Sequence, residues 1–329
     1  MKLKGKKVLV TGAGGFIGSH VCEALVRREA QVKGLVHYNS RSDWGMLEYV
    51  DKHFLSEIEI LTGDVRDSDC IRTAISDCDL CFHLAALIGI PYSYINPRDV
   101  VDTNVIGSLN VLQAAKEFET EKVVQVSTSE VYGTAQTLPM DESHPYKPQS
   151  PYAASKLAAD QLALSFHRTF QLPVAIARPF NSYGPRQSAR AIVPTIISQA
   201  LERKSVRLGA IHTTRDLTFV TDTAEGIIRV CEEPTTTGEI TNLGSGFEVS
   251  VEDLVELAAK NLNKSVKIVS DPDRRRPAES EVERLCSDSR KAGKMLNWYP
   301  RVHLQQGLAK TLVWIEKHPW LYKTQLYNV

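Results

Sequence analysis

A tyrosine and a lysine four residues apart stand at the start of the longest helical pattern in the chain, 151–170. Ser150 suits the N-cap of that helix, and Pro151 suits its first position. Tyr152 and Lys156 then share one face near the helix N-terminus. Both the ammonium group and the positive end of the helix favour a phenolate over a phenol. The spacing therefore predicts that Lys156 lowers the pKa of Tyr152, which accepts a proton from a hydroxyl group.

Hydroxyl groups and one carboxylate follow the β-branched run 122–126, which predicts a strand. They belong to Ser127, Thr128, Ser129 and Glu130. Side chains at the carboxyl end of a parallel strand face the crevice in which α/β proteins bind their ligands. We therefore expect Glu130 to exchange protons in that crevice. The alternative for Glu130 is a solvated or helix-capping acid.

Glycines at positions 12, 15 and 18 lie between a predicted strand, 7–10, and a predicted helix, 18–28. Small residues there let the backbone approach a pyrophosphate, whose charge is stabilised by the helix N-terminus. This context predicts dinucleotide binding, and a simple tight turn between strand and helix is the alternative. The loop residues expected at the cofactor are Gly12, Gly15, Phe16, Ile17 and Gly18.

No acidic residue follows the second predicted strand, 32–36, where a carboxylate would bind the adenosine ribose of NAD. Polar and basic side chains stand there instead: His37, Asn39, Ser40 and Arg41. They are suited to a 2′-phosphate, so the sequence slightly favours NADP over NAD. The alternative is a solvated loop, with NAD bound without a carboxylate. Asp64 and Val65 follow the third strand and are expected to meet the adenine.

The elements that must position these residues alternate along the first half of the chain. The predicted strands are 7–10, 32–36, 57–61, 80–84, 122–126 and 174–177, and the predicted helices are 18–28, 105–118 and 151–170. This order predicts an α/β fold, a Rossmann-like doubly wound parallel sheet with a smaller α/β C-terminal substrate lobe. We expect an NAD(P)-binding domain over 1–180, to which 211–245 returns, and a mainly substrate-binding lobe over 181–329.

Composition excludes several classes of protein. The 329 residues include 39 basic and 39 acidic side chains, so no global positive field favours nucleic acid or an anionic membrane. No apolar run is long enough for a membrane span, and the basic N-terminus lacks a signal peptide's apolar stretch. We expect a cytoplasmic protein with reduced cysteines. The single C-x-x-C, Cys78 to Cys81, has no second ligand pair, so no metal site is expected.

Six motifs in a fixed order extend over nearly the whole chain. They are 11–18, 83–86, 103–107, 127–133, the pair Tyr152 and Lys156, and 178–186. Together they resemble the extended short-chain dehydrogenase/reductases that act on nucleotide sugars. The resemblance implies a homodimer formed through 105–118 and 151–170. It also adds cofactor-binding positions, which are Leu84, Ala85, Ala86, Asn104 and Pro179, with Tyr152 and Lys156. The implied substrate-binding residues are Thr128, Asn181, Arg186, Arg190, Arg215 and Arg276.

The triplet Thr128-Ser129-Glu130 narrows the reaction within that family. Simple 4-epimerases generally lack an acid at the third position, whereas 4,6-dehydratases carry Thr-Asp-Glu or Thr-Ser-Glu. The resemblance implies that a hydride leaves C4 for NAD(P)+ and returns to C6, while Glu130 removes the C5 proton. Ser129 is too weak an acid to protonate the leaving 6-hydroxyl, so Glu130 would pass its proton on. UDP-glucuronate decarboxylases share Thr-Ser-Glu, so decarboxylation and C4 or C5 epimerisation stay open, as does an inactive cofactor-binding regulator.

Three further segments are similar to the legionaminic-acid-pathway 4,6-dehydratases, which act on a nucleotide-linked N-acetylglucosamine. They are 38–45, 184–191 and 321–329. This resemblance implies GDP- or UDP-N-acetylglucosamine as the substrate. The sequence does not decide which nucleotide base is bound.

Overall fold

The computed structural model describes residues 1–327 of the chain; Asn328 and Val329, the end of the terminal motif, lie outside the described residues. Twelve strands are present in the described part: β1 Lys7–Thr11, β2 Gln31–His37, β3 Ile58–Gly63, β4 Leu80–His83, β5 Lys122–Val126, β6 Val174–Pro179, β7 Asn181–Tyr183, β8 Ser205–Leu208, β9 Thr214–Phe219, β10 Ile240–Leu243, β11 Glu248–Ser250 and β12 Lys267–Ser270.

The same residues form twelve α-helices: α1 Phe16–Val26, α2 Lys52–Leu55, α3 Ser68–Ile75, α4 Ile90–Ile95, α5 Pro97–Val101, α6 Gly107–Glu117, α7 Pro151–Phe170, α8 Ile192–Glu202, α9 Val220–Glu232, α10 Val251–Leu262, α11 Arg290–Leu296 and α12 Leu304–Lys317. A π-helical turn, Asp102–Ile106, joins α5 to α6. No helix within residues 1–327 is both long enough and apolar enough to cross a bilayer.

The central sheet has seven parallel strands within the described residues, in the order β3-β2-β1-β4-β5-β6-β10. Its inner strands are buried on both sides, which explains why β5 and β6 are nearly continuous apolar runs. On one face of the sheet the core includes side chains from α1 and α9. On the other face it includes side chains from α3, α6 and α7. The predicted Rossmann-like, doubly wound fold is thus confirmed.

The C-terminal part of the chain contributes both to the central sheet with its helices and to a separate C-terminal lobe. Strand β10 pairs with β6 and is therefore part of the central sheet. Helix α9 packs against α1 and helps to cover one face of that sheet. A separate core lies among α8, α10 and α12, next to a small sheet of order β11-β9-β7 and the pair β12-β8. The sequence did not predict β7, β8, β9, β10 and β11, which lie in the second half of the chain, where strands and helices do not alternate regularly.

The strand order reverses between β1 and β4, since the chain runs from β1 outward to β3 and then returns to β4. At such a point the loops at the carboxyl ends diverge and leave a crevice, which is the general ligand position of open α/β sheets. The glycine loop follows β1, and the run 127–130 follows β5. Both therefore open onto the same edge of the sheet.

Candidate active site

The glycine loop is packed too tightly for larger residues. Gly12 has φ +70°, and a Cβ there would lie 2.7 Å from the backbone nitrogen of Ala85. A Cβ on Gly18 would lie 2.1 Å from the Gly12 carbonyl oxygen. The loop is also tied to the end of β4, because the Ala85 N–H donates to the Thr11 hydroxyl at 3.2 Å. Helix α1 begins at Phe16, directly after the loop, so its free N–H groups point at the crevice. This cradle suits a dinucleotide pyrophosphate.

The segment after β2 is folded upon itself. The Asn39 side chain accepts hydrogen bonds from the N–H groups of Arg41 and Asp43, both at 3.1 Å, and donates to the Asp43 carbonyl at 2.7 Å. His37 and Arg41 each lie beside a carboxylate, Asp64 at 3.4 Å and Asp43 at 3.7 Å. Asn39 is therefore engaged within its own loop, and the basic groups there already face acids.

Asp64 follows β3 beside the end of β2, and the residues after β4 lie next to the glycine loop. Asp64 binds Arg66 through both carboxylate oxygens, with the shortest distance 2.6 Å. The next residue, Val65, packs so closely that a Cβ on Gly107 would lie 2.7 Å from its side chain. The residues Leu84, Ala85 and Ala86 after β4 are half-buried. Their loop lies over the glycine cradle described above.

Asn104 holds the loop after β4 against helix α7. Its buried amide donates to the Leu87 carbonyl at 3.0 Å and to the Ser155 hydroxyl at 2.9 Å. Its oxygen accepts from the Leu87 N–H at 2.7 Å. Both ends of the Asn104 amide are thus engaged in positioning that loop, and its cofactor-binding role stays a prediction.

The side chains with proton-transfer chemistry meet at the ends of β5 and α7. Thr128 caps the short helical turn Ser129–Tyr132, and Ser129, Glu130, Tyr152 and Lys156 are all buried. The N-cap predicted for α7 is present: the Ser150 hydroxyl accepts from the Ala153 N–H at 3.1 Å. The Lys156 ammonium donates to the carbonyl of Val126, the last residue of β5, at 2.7 Å. The helix and the strand are thereby fixed to one another.

Burial raises the pKa of Tyr152 above its ordinary value. The Thr128 hydroxyl opposes that rise, the Glu130 and Asp160 charges add to it, and the Arg190 charge opposes it. Burial also lowers the pKa of Lys156. The direction for Tyr152 is opposite to the one that the sequence predicts, because the loss of hydration outweighs the nearby positive charge. Thr128, Glu130 and Arg190 therefore lie near enough to the phenol to influence its pKa.

Two of the predicted arginines come together beside Glu130. The Glu281 carboxylate accepts from Arg215 at 3.2 Å and from Arg276 at 3.5 Å. The Glu130 charge raises the pKa of the Arg215 guanidinium, although burial lowers it more strongly. Arg215 is therefore paired with Glu281 and lies near enough to Glu130 for that charge to affect its pKa. Two guanidinium groups at one point suit the two charges of a diphosphate.

The other predicted substrate residues occupy three different places. Arg190 lies over Gly89, where an added Cβ would meet its Nη1 at 2.7 Å, on the Tyr152 side of the crevice. Asn181 begins β7, and its side-chain oxygen is buried without a hydrogen-bond partner among residues 1–327. Arg186 is directed away from the other arginines: it binds Glu23 on α1 at 2.6 Å. The expected substrate contact of Arg186 stays a prediction, since its Nη1 is buried without a hydrogen-bond partner among residues 1–327. Pro179 ends β6 next to β10.

The sequence did not predict the roles of several residues in or near the site. Asp160 and Arg178 form a fully buried ion pair at 2.8 Å beneath Lys156. Tyr94 shares a hydrogen bond of 2.6 Å with Ser280, so α4 reaches across to the arginine-rich segment. One signal was available, since Asp160 repeats the four-residue spacing of Tyr152 and Lys156. The Tyr94 contact joins positions far apart in the chain and leaves no local pattern.

A family model described as GDP-mannose 4,6 dehydratase matches residues 9–311. The chain belongs to this family of nucleotide-sugar 4,6-dehydratases and epimerases within the extended short-chain dehydrogenase/reductases. The predicted family is thereby confirmed, while the assignment to the legionaminic acid pathway stays a prediction.

Relatives of this chain are named for different reactions. The chain is 32% identical to the dTDP-D-glucose 4,6-dehydratase of Homo sapiens, over 96% of this chain and 92% of that enzyme. It is 30% identical to the UDP-glucuronate 4-epimerase of Thermodesulfobacterium geofontis, over 96% of this chain and 98% of that enzyme. The family is thus shown at the level of an NDP-sugar dehydratase or epimerase.

A solved structure has the same fold with its ligands in place. The dTDP-glucose 4,6-dehydratase DesIV of Streptomyces venezuelae, with NAD and TYD bound, superposes with a TM-score of 0.84. It is 29% identical, over 96% of this chain and 99% of that chain. The likeness extends over both the sheet and the C-terminal lobe.

Proposed function

We propose that the protein is a nucleotide-sugar 4,6-dehydratase that converts an NDP-hexose into the NDP-4-keto-6-deoxy sugar. The observation that carries this proposal is the placement of Glu130. Its buried carboxylate lies next to Tyr152 and Arg215, within the same crevice as the glycine cradle. An epimerase that only inverts C4 needs no such carboxylate, whereas removal of the C5 proton does.

The chain's own residues divide the proton transfers between them. When bound, the nicotinamide takes a hydride from C4 and later returns it to C6. Tyr152 accepts the proton of the C4 hydroxyl in its phenolate form, which the Arg190 charge favours against burial, and Thr128 holds that hydroxyl by a hydrogen bond. Lys156 would hold the nicotinamide ribose. Glu130 then removes the C5 proton, which the C4 ketone has made acidic, and delivers it to the departing 6-hydroxyl as water. When the hydride returns to C6, C5 takes up a proton in turn, which balances the proton that Tyr152 accepted from the C4 hydroxyl. Ser129 lines this site and has no proton-transfer role.

We propose NAD as the cofactor, although the sequence alone slightly favours NADP. The support is the loop after β2, where Asn39 is engaged internally and Arg41 and His37 each face a carboxylate. A 2′-phosphate would have to share those basic groups with Asp43 and Asp64, whose negative charges repel it. A ribose with free hydroxyls has no such conflict.

The substrate's diphosphate is proposed to lie at Arg215 and Arg276, and its hexose between Arg190 and Glu130. Asn181 supports this placement, since its buried oxygen is left for a ligand donor. The hexose proposed is GDP- or UDP-linked N-acetylglucosamine, for which the support is the resemblance in 38–45 and 184–191. A cytoplasmic location and the two-domain division at residue 180 are likewise proposals.

The test is mass spectrometry of sugar nucleotides incubated with the purified protein and NAD+. The panel contains GDP- and UDP-N-acetylglucosamine, GDP-mannose, dTDP-glucose and UDP-glucuronate. Loss of one water from a substrate supports the dehydratase, whereas loss of carbon dioxide establishes a decarboxylase. An unchanged mass with an inverted centre by NMR establishes an epimerase. An unchanged sugar throughout the panel contradicts the proposal and favours an inactive cofactor-binding regulator.

The Glu130→Gln variant tests whether dehydration takes place at this site and depends on Glu130. It should stop water loss while still oxidising C4, so that the reduced cofactor accumulates and absorbs at about 340 nm. The matched control is Glu142→Gln, whose half-buried carboxylate accepts from the Asn242 N–H at 2.7 Å. That control should dehydrate at the rate of the unmodified protein. Equal water loss by Glu130→Gln would contradict the role of Glu130.

A further inference from the structure

A charged pair lies entirely inside the protein beneath the proton-transfer groups. Asp160 on α7 and Arg178 on β6 are both 0% exposed, and their side chains meet at 2.8 Å. The same Asp160 oxygen accepts a hydrogen bond from the Ser127 hydroxyl at 2.5 Å. Ser127 directly follows β5, whose last carbonyl binds Lys156. One carboxylate oxygen thus joins α7, β5 and β6 below the site.

The helix places this pair in line with the tyrosine and the lysine. Tyr152, Lys156 and Asp160 follow one another at intervals of four residues, so they occupy one face of α7 in three successive turns. Tyr152 lies at the crevice and Asp160 lies deepest. The Asp160 charge acts on both other groups: it adds to the rise in the pKa of Tyr152, and it opposes the fall in the pKa of Lys156.

The pair is poorly explained as a device for stability alone. Burying two charges costs more than burying apolar side chains of similar volume, and the ion pair offsets that cost only with full hydrogen bonding. Here Oδ1 of Asp160 and both Nε and Nη1 of Arg178 are buried without hydrogen-bond partners among residues 1–327. The guanidinium gains some compensation from the rings of Tyr132 and Tyr146, whose centres lie 4.7 and 5.2 Å away.

The groups around Lys156 show how the Asp160–Arg178 ion pair affects the charge of this lysine. Burial lowers the pKa of Lys156, and the Asp160 carboxylate opposes that shift. From β4, His83 faces the ammonium, but burial lowers the pKa of His83 to about 3, so it is neutral. His83 is also held between the hydroxyls of Thr11 at 2.7 Å and Ser108 at 3.0 Å. Arg178 faces the far side of Asp160. Within the described residues, Asp160 is therefore the carboxylate that supports the Lys156 charge.

We propose that Asp160 and Arg178 are positioning residues for the proposed dehydration: the carboxylate holds Lys156 in its charged form against β5, and Arg178 holds the carboxylate. This inference rests on the proposed function for its effect on turnover. Its effect on Lys156 itself does not depend on which sugar is converted. Arg178 touches neither substrate nor cofactor, and it acts through Asp160.

The test compares Asp160→Asn with the double variant Asp160→Asn/Arg178→Met. The single variant leaves the buried Arg178 guanidinium without its carboxylate partner, so it is expected to unfold at a lower temperature. The double variant removes both charges and keeps the volume, so it is expected to fold. In both, kcat should fall by about tenfold or more with KM within about twofold, because proton transfer is impaired and substrate contacts remain. The basic limb of the pH–rate profile should move to lower pH, because Lys156 loses its proton earlier.

Asp222→Asn is the matched control. Asp222 is also a buried aspartate, and it accepts from the N–H groups of Arg301 and Val302, both at 2.9 Å. Its loss should lower the melting temperature without moving the basic limb. A folded double variant with the unmodified pH profile and kcat would overturn the proposal and assign the pair a purely structural role.

A second readout separates this inference from the proposed reaction. NAD+ affinity is measured by tryptophan fluorescence from about pH 6 to about pH 10, a range that includes a lysine with a lowered pKa. Because Lys156 holds the nicotinamide ribose, the loss of affinity at high pH should begin at lower pH in the double variant. If no sugar is dehydrated but this shift is seen, the proposed function fails and the inference stands. If the shift is absent from a folded double variant, the inference fails whatever the reaction.

Discussion

The Arg186 guanidinium donates a hydrogen bond of 2.6 Å to the Glu23 carboxylate on helix α1. Arg186 has φ +69°, so the chain turns sharply there and directs the side chain toward the cofactor helix. The neighbouring Pro185 carbonyl is 3.1 Å from His20 of the same helix. The segment that leads into the C-terminal lobe is thus bound to α1, the helix that begins at the glycine loop. This contact engages Nη2 of Arg186, and its effect on stability can be measured separately from any effect on substrate binding.

Replacing Arg186 by alanine should destabilise the protein far more than it weakens substrate binding. Glu23 would lose its largely buried partner, at a cost of about 3 kcal/mol in the free energy of unfolding. Arg27→Ala is the control, because Arg27 binds the other oxygen of Glu23 at 2.8 Å from an exposed position. That exposed pair contributes below about 1 kcal/mol. Urea unfolding measures both. A tenfold rise in KM for folded Arg186→Ala would instead make Arg186 a substrate ligand.

The sequence predicted the parts of the site that depend on local pattern. Tyr152 and Lys156 share a helix face because of their spacing, and the cap at Ser150 fixes where that helix begins. The glycine cradle follows from a strand, a turn and a helix in direct succession. Such features depend on neighbours within a few residues, which one sequence displays directly.

The arginines show why the rest could not be predicted. Arg178 and Arg186 belong to one motif, yet each is buried against an acid from a distant element, Asp160 and Glu23. Arg215 instead lies at the crevice with Glu281. Nothing in the spacing of arginines reveals which carboxylate each will meet, because those partners are brought together only by the packing of α1, α7 and the C-terminal segment. The raised pKa of Tyr152 has the same origin, since burial depends on the whole fold.

Arg215→Met should weaken substrate binding. The guanidinium is a charge-assisted donor in a nearly closed position, so its loss should raise KM for the sugar nucleotide by about 10- to 100-fold. Arg275→Met is the control, because Arg275 lies exposed in the neighbouring segment and donates to the Ser270 hydroxyl at 2.8 Å. Steady-state kinetics at fixed NAD+ measure both variants. An unchanged KM in Arg215→Met of normal melting temperature would remove Arg215 from the diphosphate site.

The homodimer formed through 105–118 and 151–170 stays a prediction, and we propose that its interface also includes the segment 88–106. Large apolar side chains stand exposed along it: Ile88 at 54%, Ile95 at 71%, Val101 at 41% and Ile106 at 42%. Ile106→Glu should therefore yield a monomer, because a buried unpaired charge at an interface is costly. Val313→Glu is the control, since Val313 is 47% exposed on α12, away from this segment. Light scattering after gel filtration gives the mass. A dimer that persists in Ile106→Glu would exclude this position from the interface.

The cofactor proposal predicts a small effect of Arg41→Ala on NAD+ binding. Arg41 is 83% exposed and faces Asp43, so NAD+ affinity should stay within about twofold when its guanidinium is removed. The unmodified protein should bind NAD+ about tenfold or more tightly than NADP+, because Asp43 and Asp64 repel a 2′-phosphate. Isothermal titration with both cofactors measures these affinities. If NADP+ binds more tightly and Arg41→Ala weakens it about tenfold or more, the guanidinium recognises the 2′-phosphate and NADP is the cofactor.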